Sequence, residues 1–412
     1  MPAPCSSLMN RASQAERSLS QLVRTAATWV ALLGVSFCAK ATPLRPGNGN
    51  EVLERVRSAP LDASARELRM ARQRLSAEPN NLELAIRFAR LAIERNSVEG
   101  DPRYLGRAQA ALSPWWDRED IPSRVLVLRG MIRQAQHDFK HALADLDLAV
   151  ERDPTDAQAW LTKSAVLAVT GDYEKARQAC IPLAQLAPGL ISLAAAANVS
   201  CLNGDAERGC AVLRTALSNP AQPDSRERVW AFTILGEASR RLGREPEAEA
   251  CFKRVLELAP RDVYALGAYA DLLLDQGRAR DAARLLSDGE RADALLLRLA
   301  LAESLLRPIP SNFAMHTNNL AARFQEGHLR GDFVHLREEA QFELSLAKRP
   351  AAALRLAQEN WVIQREPADA RLLLECARQA HDKQAAAPVL EFMRRTHIQD
   401  EQLNRLTESL EP

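Results

Sequence analysis

Aromatic residues make up only 5% of the chain, and glycine fills only 17 of its 412 positions. Strands and tight hairpins draw on those residues, so a sheet-based fold lacks its raw material. Charge of one sign is missing as well. Fifty-four Lys and Arg against 53 Asp and Glu leave a formal charge of +1. Without a basic excess there is little to attract a phosphate backbone, and nucleic acid is not an expected partner. No glycine-rich phosphate loop, Gly-x-Ser-x-Gly elbow or zinc-cysteine quartet occurs, so no catalytic residue, metal or cofactor is expected. What is abundant is Ala, Leu, Arg and Glu, the residues of long helices. The length exceeds what one core usually supports, which points to several domains or to an elongated repeat.

The first forty residues read as an export signal. Arg11, Arg17 and Arg24 precede an apolar run from Ala26 to Cys38, and Ala39-Lys-Ala41 supplies a small-x-small cleavage site before Thr42. The run is shorter than the ~20 residues of a spanning helix, so no stable membrane span is expected. Met9 is an alternative start to Met1. Residues 1–41 are thus expected to be a cleavable signal and 42–60 a flexible lead-in rich in Pro, Gly and Asn, which places the mature protein in the periplasm.

A repeat follows. AWLTKSAVLAVTGDYEKARQACIPLAQLAP ends at Pro188, and AFTILGEASRRLGREPEAEACFKRVLELAP ends at Pro260. Each is an apolar helical stripe, a glycine turn, a second stripe and a proline. Pro154 and Pro188 are 34 residues apart, the length of a tetratricopeptide unit. The unit from Val229 carries Leu235-Gly236, Ala248, Phe252 and Pro260. The unit from Ala157 carries Trp160, Gly171, Tyr173, Ala176 and Pro188, and the one from Ser123 carries Gly130, Ala142, Ala149 and Pro154. On these residues the chain resembles the tetratricopeptide-repeat family. A looser similarity to exported bacterial members of that family covers most of the mature chain. The resemblance implies an all-α, right-handed solenoid of stacked antiparallel hairpins, with residues 61–290 as the repeat array. Residues 291–412 are expected to be divergent hairpins with a capping helix at Glu401 to Leu410. About nine hairpins are expected, with a degenerate unit near Ile191 whose small positions fall on Asn198 and Gly209.

In such stacks the first helix of each hairpin lines the concave surface at positions two, five, nine, twelve and thirteen. The register then nominates Arg124, Met131, Gln158, Leu161, Val199, Asn203, Trp230, Glu237, Arg240, Arg241, Tyr264 and Asp271 as groove residues. Trp230 and Tyr264 offer broad contact area, which suits an extended peptide or a partner helix. The implied function is a non-catalytic protein-interaction scaffold. The alternative is an accessory subunit of a cell-envelope complex, in peripheral contact with the membrane.

Four other features have simpler explanations than chemistry. His137 and His141 have metal-ligand spacing, but the repeat register puts His137 in a turn and makes Asp138 an N-cap. His316, His328 and His335 straddle a helix end at Gly331, which argues against a metal site. Trp115 and Trp116, in SPWWDRED, fall at the joint after the first hairpin, where one is expected to be buried and the other partly exposed. Cys201 and Cys210 flank the Gly204 turn and are the favoured disulfide pair in an oxidising compartment, with Cys180 as a competing partner and reduced thiols as the other outcome.

Overall fold

The computed structural model describes residues 63–218, 226–290, 292–331 and 334–410. The expected signal, its cleavage site and the lead-in lie outside them. The described residues form twenty α-helices and a short 3-10 helix, with no strand among them. A lone helix α1 (Ala63–Ala77) precedes nine hairpins. These are α2 (Leu82–Glu99) with α3 (Arg103–Trp116), α4 (Ser123–Ala135) with α5 (Phe139–Arg152), and α6 (Ala157–Val169) with α7 (Tyr173–Leu186). Then come α8 (Leu190–Leu202) with α9 (Ala206–Leu217), α10 (Arg226–Arg241) with α11 (Glu245–Leu258), and α12 (Val263–Asp275) with α13 (Ala279–Leu285). The last three are α14 (Asp293–Leu305) with α15 (Phe313–Arg330), α16 (Leu336–Ser345) with α17 (Pro350–Ile363), and α18 (Pro367–Gln379) with α19 (Ala387–Thr396). Helix α20 (Glu401–Leu410) follows.

Local chemistry sets these boundaries. Asp138, Asp156, Asp172 and Asp262 each accept a hydrogen bond from a backbone N–H of the helix that follows, the N-cap role of a short carboxylate. Within hairpins the helices cross at small residues. A Cβ on Gly236 would lie 2.9 Å from the Phe252 ring, and one on Gly209 would lie 2.5 Å from Cys201 Sγ and 2.8 Å from the Ala197 carbonyl oxygen. Gly209 and Ala197 are therefore the crossing pair of the degenerate unit. Its register starts at Leu190, one residue earlier than the sequence pattern suggested, and Asn198 is released from the crossing.

Each first helix touches the first helix of the next hairpin along the stack, from α2 through α18 to α20. The stack also meets itself. Gly100, at the end of α2, sits against Val263 of α12, and Arg226 pairs with Glu94 of α2 at 2.8 Å. The later hairpins lie across the turns of the central ones. Phe392 covers Gly171, His397 covers Gly204, and the Glu401 carboxylate covers Gly243. Two of these turns have helix ends completed from far along the chain. Arg365 N–H donates to the Val169 carbonyl at the end of α6 (2.8 Å), and the Ala206 N–H at the start of α9 donates to Gln399 Oε1 (2.8 Å). One apolar core accordingly joins Leu167, Tyr173, Leu183 and Val199 to Trp361, Leu373, Phe392 and Leu403. The expected division at residue 290 is not a division of the core, because the divergent hairpins bury their apolar faces on the regular ones.

Trp115 is 9% exposed and belongs to the core of the first units, while Trp116 is half-buried with the Arg129 guanidinium 5.8 Å from its ring centroid. Arg129 is fixed in turn by Asp145 (3.0 and 2.6 Å). The tryptophan pair is packing between hairpins.

Candidate functional site

Because every first helix faces inward, the first helices of all nine hairpins line one cavity of about 1260 Å³. The contributions run from Glu94 and Val98 of α2 through Gln134, Ala165, Asn198 and Leu202 to Trp230, Thr233 and Glu237 of α10. The wall continues with Tyr264 and Asp271 of α12, Arg298 of α14, Arg337 of α16 and Arg371 of α18. Tyr264 is 55% exposed although protein surrounds it, so the surface it offers is that of the cavity.

Charge inside this space is organised into pairs. Arg240 (2.5 Å), Arg371 (2.9 Å) and Gln402 (2.9 Å) all converge on the Asp275 carboxylate, tying α10, α18 and α20 to α12. Burial pushes that carboxyl up, but Arg240 and Arg371 outweigh it and hold it below the ordinary range. Arg298 grips Asp271 with two bonds of 2.8 Å. Arg337 bridges Asp369 (2.6 Å) and Glu366 (2.5 Å). The Tyr264 hydroxyl donates to Glu237 at 2.6 Å. Burial raises the Glu237 carboxyl, and Arg241, four residues further along α10, offsets part of that rise. The same burial raises the Tyr264 phenol.

Residues 231–262 match the family model described as tetratricopeptide repeat, a segment that covers most of the hairpin α10–α11 and includes Thr233, Glu237, Arg240 and Arg241 of the cavity wall. The flanking hairpins repeat its geometry. The chain carries a tetratricopeptide repeat within an all-α solenoid. No curated protein matches its sequence. Among solved structures it is similar to PilW, a widely conserved type IV pilus biogenesis factor, at 16% identity over 69% of this chain and 98% of that one, with a TM-score of 0.33. It is similar to a tetratricopeptide repeat protein from Parabacteroides merdae at 14% identity over 71% of this chain and 98% of that one, with a TM-score of 0.36. It is also similar to Rap protein in complex with competence and sporulation factor, at 14% identity over 84% and 94% of the two chains, with a TM-score of 0.46.

The tetratricopeptide register does not place all nominated groove residues alike. Trp230, Glu237, Arg240, Arg241, Tyr264 and Asp271 line the cavity together. Met131 faces a smaller neighbouring pocket with His137 and Phe139. Arg124 is exposed and pairs with Glu83 at 2.6 Å, Gln158 donates to Thr162 on its own helix, and Leu161 packs against the main core. Val199 is buried in that core and Asn203 is exposed at the end of α8, whereas Asn198 and Leu202 face the cavity. That exchange is the one-residue shift of the Leu190 unit. Arg298, Arg337, Glu366 and Arg371 were not nominated, since the repeat pattern had faded there and gave no register to convert into a surface.

All five described cysteines are buried free thiols. Cys201 and Cys210 do face each other, as a hydrogen-bonded thiol pair that raises one and lowers the other. Cys180 lies against Ser164 instead. Among the histidines, His316 is 2% exposed and held between Glu303 (2.8 Å) and Glu290 (3.3 Å), away from His328, which meets Glu339.

Proposed function

We propose that the protein is a non-catalytic adaptor that takes an extended peptide segment into the cavity enclosed by its nine first helices. The observation that carries this reading is the cavity itself. Its volume exceeds the ~300 to 1000 Å³ of sites for drug-sized ligands. A tryptophan and a tyrosine give contact area, and ion pairs give a polar wall for backbone groups. An extended segment is favoured over a partner helix because first helices of all nine hairpins line the space, whereas a helix docks along one open groove. The tetratricopeptide fold supports a protein partner in general. The apolar run that closes with Ala39-Lys-Ala41 supports a periplasmic site of action, and no helix among the described residues is long and apolar enough to cross a membrane.

The test presents the purified full chain with hexapeptide libraries and reads the retained peptides by mass spectrometry. Trp230→Ala and Tyr264→Ala, each confirmed folded by circular dichroism, are expected to weaken retention by about 2 kcal/mol, roughly thirtyfold. Retention by both variants equal to that of the parent chain rules out the cavity as the binding surface. Fractionation that leaves the protein in the cytoplasm rules out the compartment.

A further inference from the structure

Helix α1 turns its apolar residues inward, where Ala71, with Leu68 and Leu75, packs into the core of the first hairpins. Away from that core Arg66, Arg69, Arg72 and Arg74 are all exposed, and Met70 is exposed among them. Glu67, the only carboxylate on the helix, is taken by Arg87 of α2 at 3.0 Å. The next one, Glu78, lies beyond the helix end and accepts from Asn81 at 2.8 Å. Arg90, exposed on the side of α2 that carries Arg87, adds a fifth cation to this edge. None of the five is in an ion pair among the described residues.

Exposed arginines on other helices bring their own counter-charge. Arg177 pairs with Glu174, Arg394 with Glu391 and Arg405 with Glu401, each within about a turn of the same helix. On α1 the arginines lack such partners, in a chain whose formal charge is only +1. The basic face is a local excess. From Arg66 to Arg74 the helix rises ~12 Å, close to the Debye length of about 10 Å at 0.1 M salt, so the four charges act together on whatever they meet. Like charges a turn apart repel one another, and an anionic surface turns that repulsion into attraction.

We propose that α1 docks this face on an anionic lipid surface, with its arginines on the headgroup phosphates and Met70 in the interface between them. Lipid fits better than an acidic protein because the face projects. Helix α1 lines neither the cavity nor the smaller pocket beside it, and its arginines stand on the outside of one helix. A protein partner needs pockets for its anchors, whereas a charged layer needs only a projecting face. The apolar side of α1 is committed to the core, so the attachment is by charge and is reversed by salt. Since α1 takes no part in the cavity wall, the attachment is independent of peptide binding.

The test is co-sedimentation of the full chain, at low salt, with vesicles of phosphatidylglycerol and phosphatidylcholine in equal parts and with vesicles of phosphatidylcholine alone. The apolar run from Ala26 to Cys38 is present in every variant and cancels from the comparison. The parent chain is expected to favour the anionic vesicles and to be released from them by added salt. Arg66→Gln, Arg69→Gln and Arg72→Gln combined are expected to weaken anionic binding about a hundredfold, about fivefold per charge, and to leave neutral vesicles unaffected. Arg177→Gln, Arg355→Gln and Arg394→Gln combined make the same change in net charge from exposed positions on α7, α17 and α19, and are expected to stay within about twofold of the parent. Arg66→Lys, Arg69→Lys and Arg72→Lys combined keep the charge and are expected to keep the preference. Absence of any preference for anionic vesicles in the parent chain overturns the proposal. So does an equal loss in the two Gln variants, which reports net charge alone, and so does loss of the preference in the Lys variant. Capture of a labelled deca-glutamate peptide through Arg66, Arg69 and Arg72, without a preference for anionic vesicles, gives the face to an acidic protein and overturns the lipid reading.

Discussion

Single glycines decide how closely paired helices approach, and they do so with unequal tolerance. At Gly236 an added methyl would meet the edge of the Phe252 ring at 2.9 Å, a side chain that can give way without moving the backbone. At Gly209 it would meet a sulfur at 2.5 Å and a backbone oxygen at 2.8 Å, and the carbonyl of α8 cannot yield without moving the helix. Gly209→Ala is therefore expected to destabilise the protein by about 2 to 3 kcal/mol and Gly236→Ala by about 1 kcal/mol, read from urea midpoints at constant slope. The opposite order would mean that the ring at Phe252, rather than the backbone, is the rigid partner. Gly236 was legible in the sequence because Leu235, Ala248 and Phe252 surround it with a familiar pattern. Gly209 was visible only as a small residue, and its partner was misplaced by one position. In an Ala-rich helix such as LISLAAAANVSCL, neighbouring residues are nearly interchangeable in size, so nothing local marks which alanine faces the crossing.

Between elements, ion pairs supply what the repeat pattern does not describe. Glu249 of α11 is hydrogen-bonded by Lys253 on its own helix, by Arg278 at the start of α13 and by Tyr269 of α12, so it staples two successive hairpins. Lys253 first, then Arg278 and Tyr269, pull its carboxyl down to about 2. A folded-state value below the unfolded one of about 4.3 means that the contribution is present in full above that pH. It is lost as pH falls from about 4.5 toward 2. Allowing for solvent screening, the three contacts together are expected to contribute about 1 to 2 kcal/mol at neutral pH. Glu249→Gln should lower the melting temperature at pH 7, and the gap to the parent chain should narrow steadily on titration to pH 2.5. A gap that stayed constant with pH would assign the effect to packing. Helix boundaries were legible at this scale, because Asp caps, turn glycines and prolines mark them locally. Partners of charged residues were not, since Glu249 and Arg278 are joined only once α11, α12 and α13 are stacked.

The closure of the stack was not legible at all, and it determines the site. An open solenoid passes strain only between neighbouring units, so damage in its last hairpin stays there. In this chain Phe392 packs on Tyr173 at 5.8 Å and on Trp361 at 5.2 Å while covering Gly171, and those partners belong to units far apart in sequence. The turn at Gly171 shows only that a left-handed residue is needed there, with φ at 78°, and gives no sign of what lies over it. Truncating Phe392 removes a buried ring from a joint that α7, α17 and α19 share, at an expected cost of about 3 to 4 kcal/mol. Phe392→Ala should therefore speed amide hydrogen exchange in two separate places, in α18 to α20 and around the start of α7, while α2 to α5 keep the protection of the parent chain. Faster exchange confined to α17 through α20 would show an open stack in solution. Faster exchange over the whole chain would show one cooperative unit without local opening. The two-site pattern would mean that the hairpins with no recognisable repeat form the far wall of the cavity, and that the cavity exists only while they are docked.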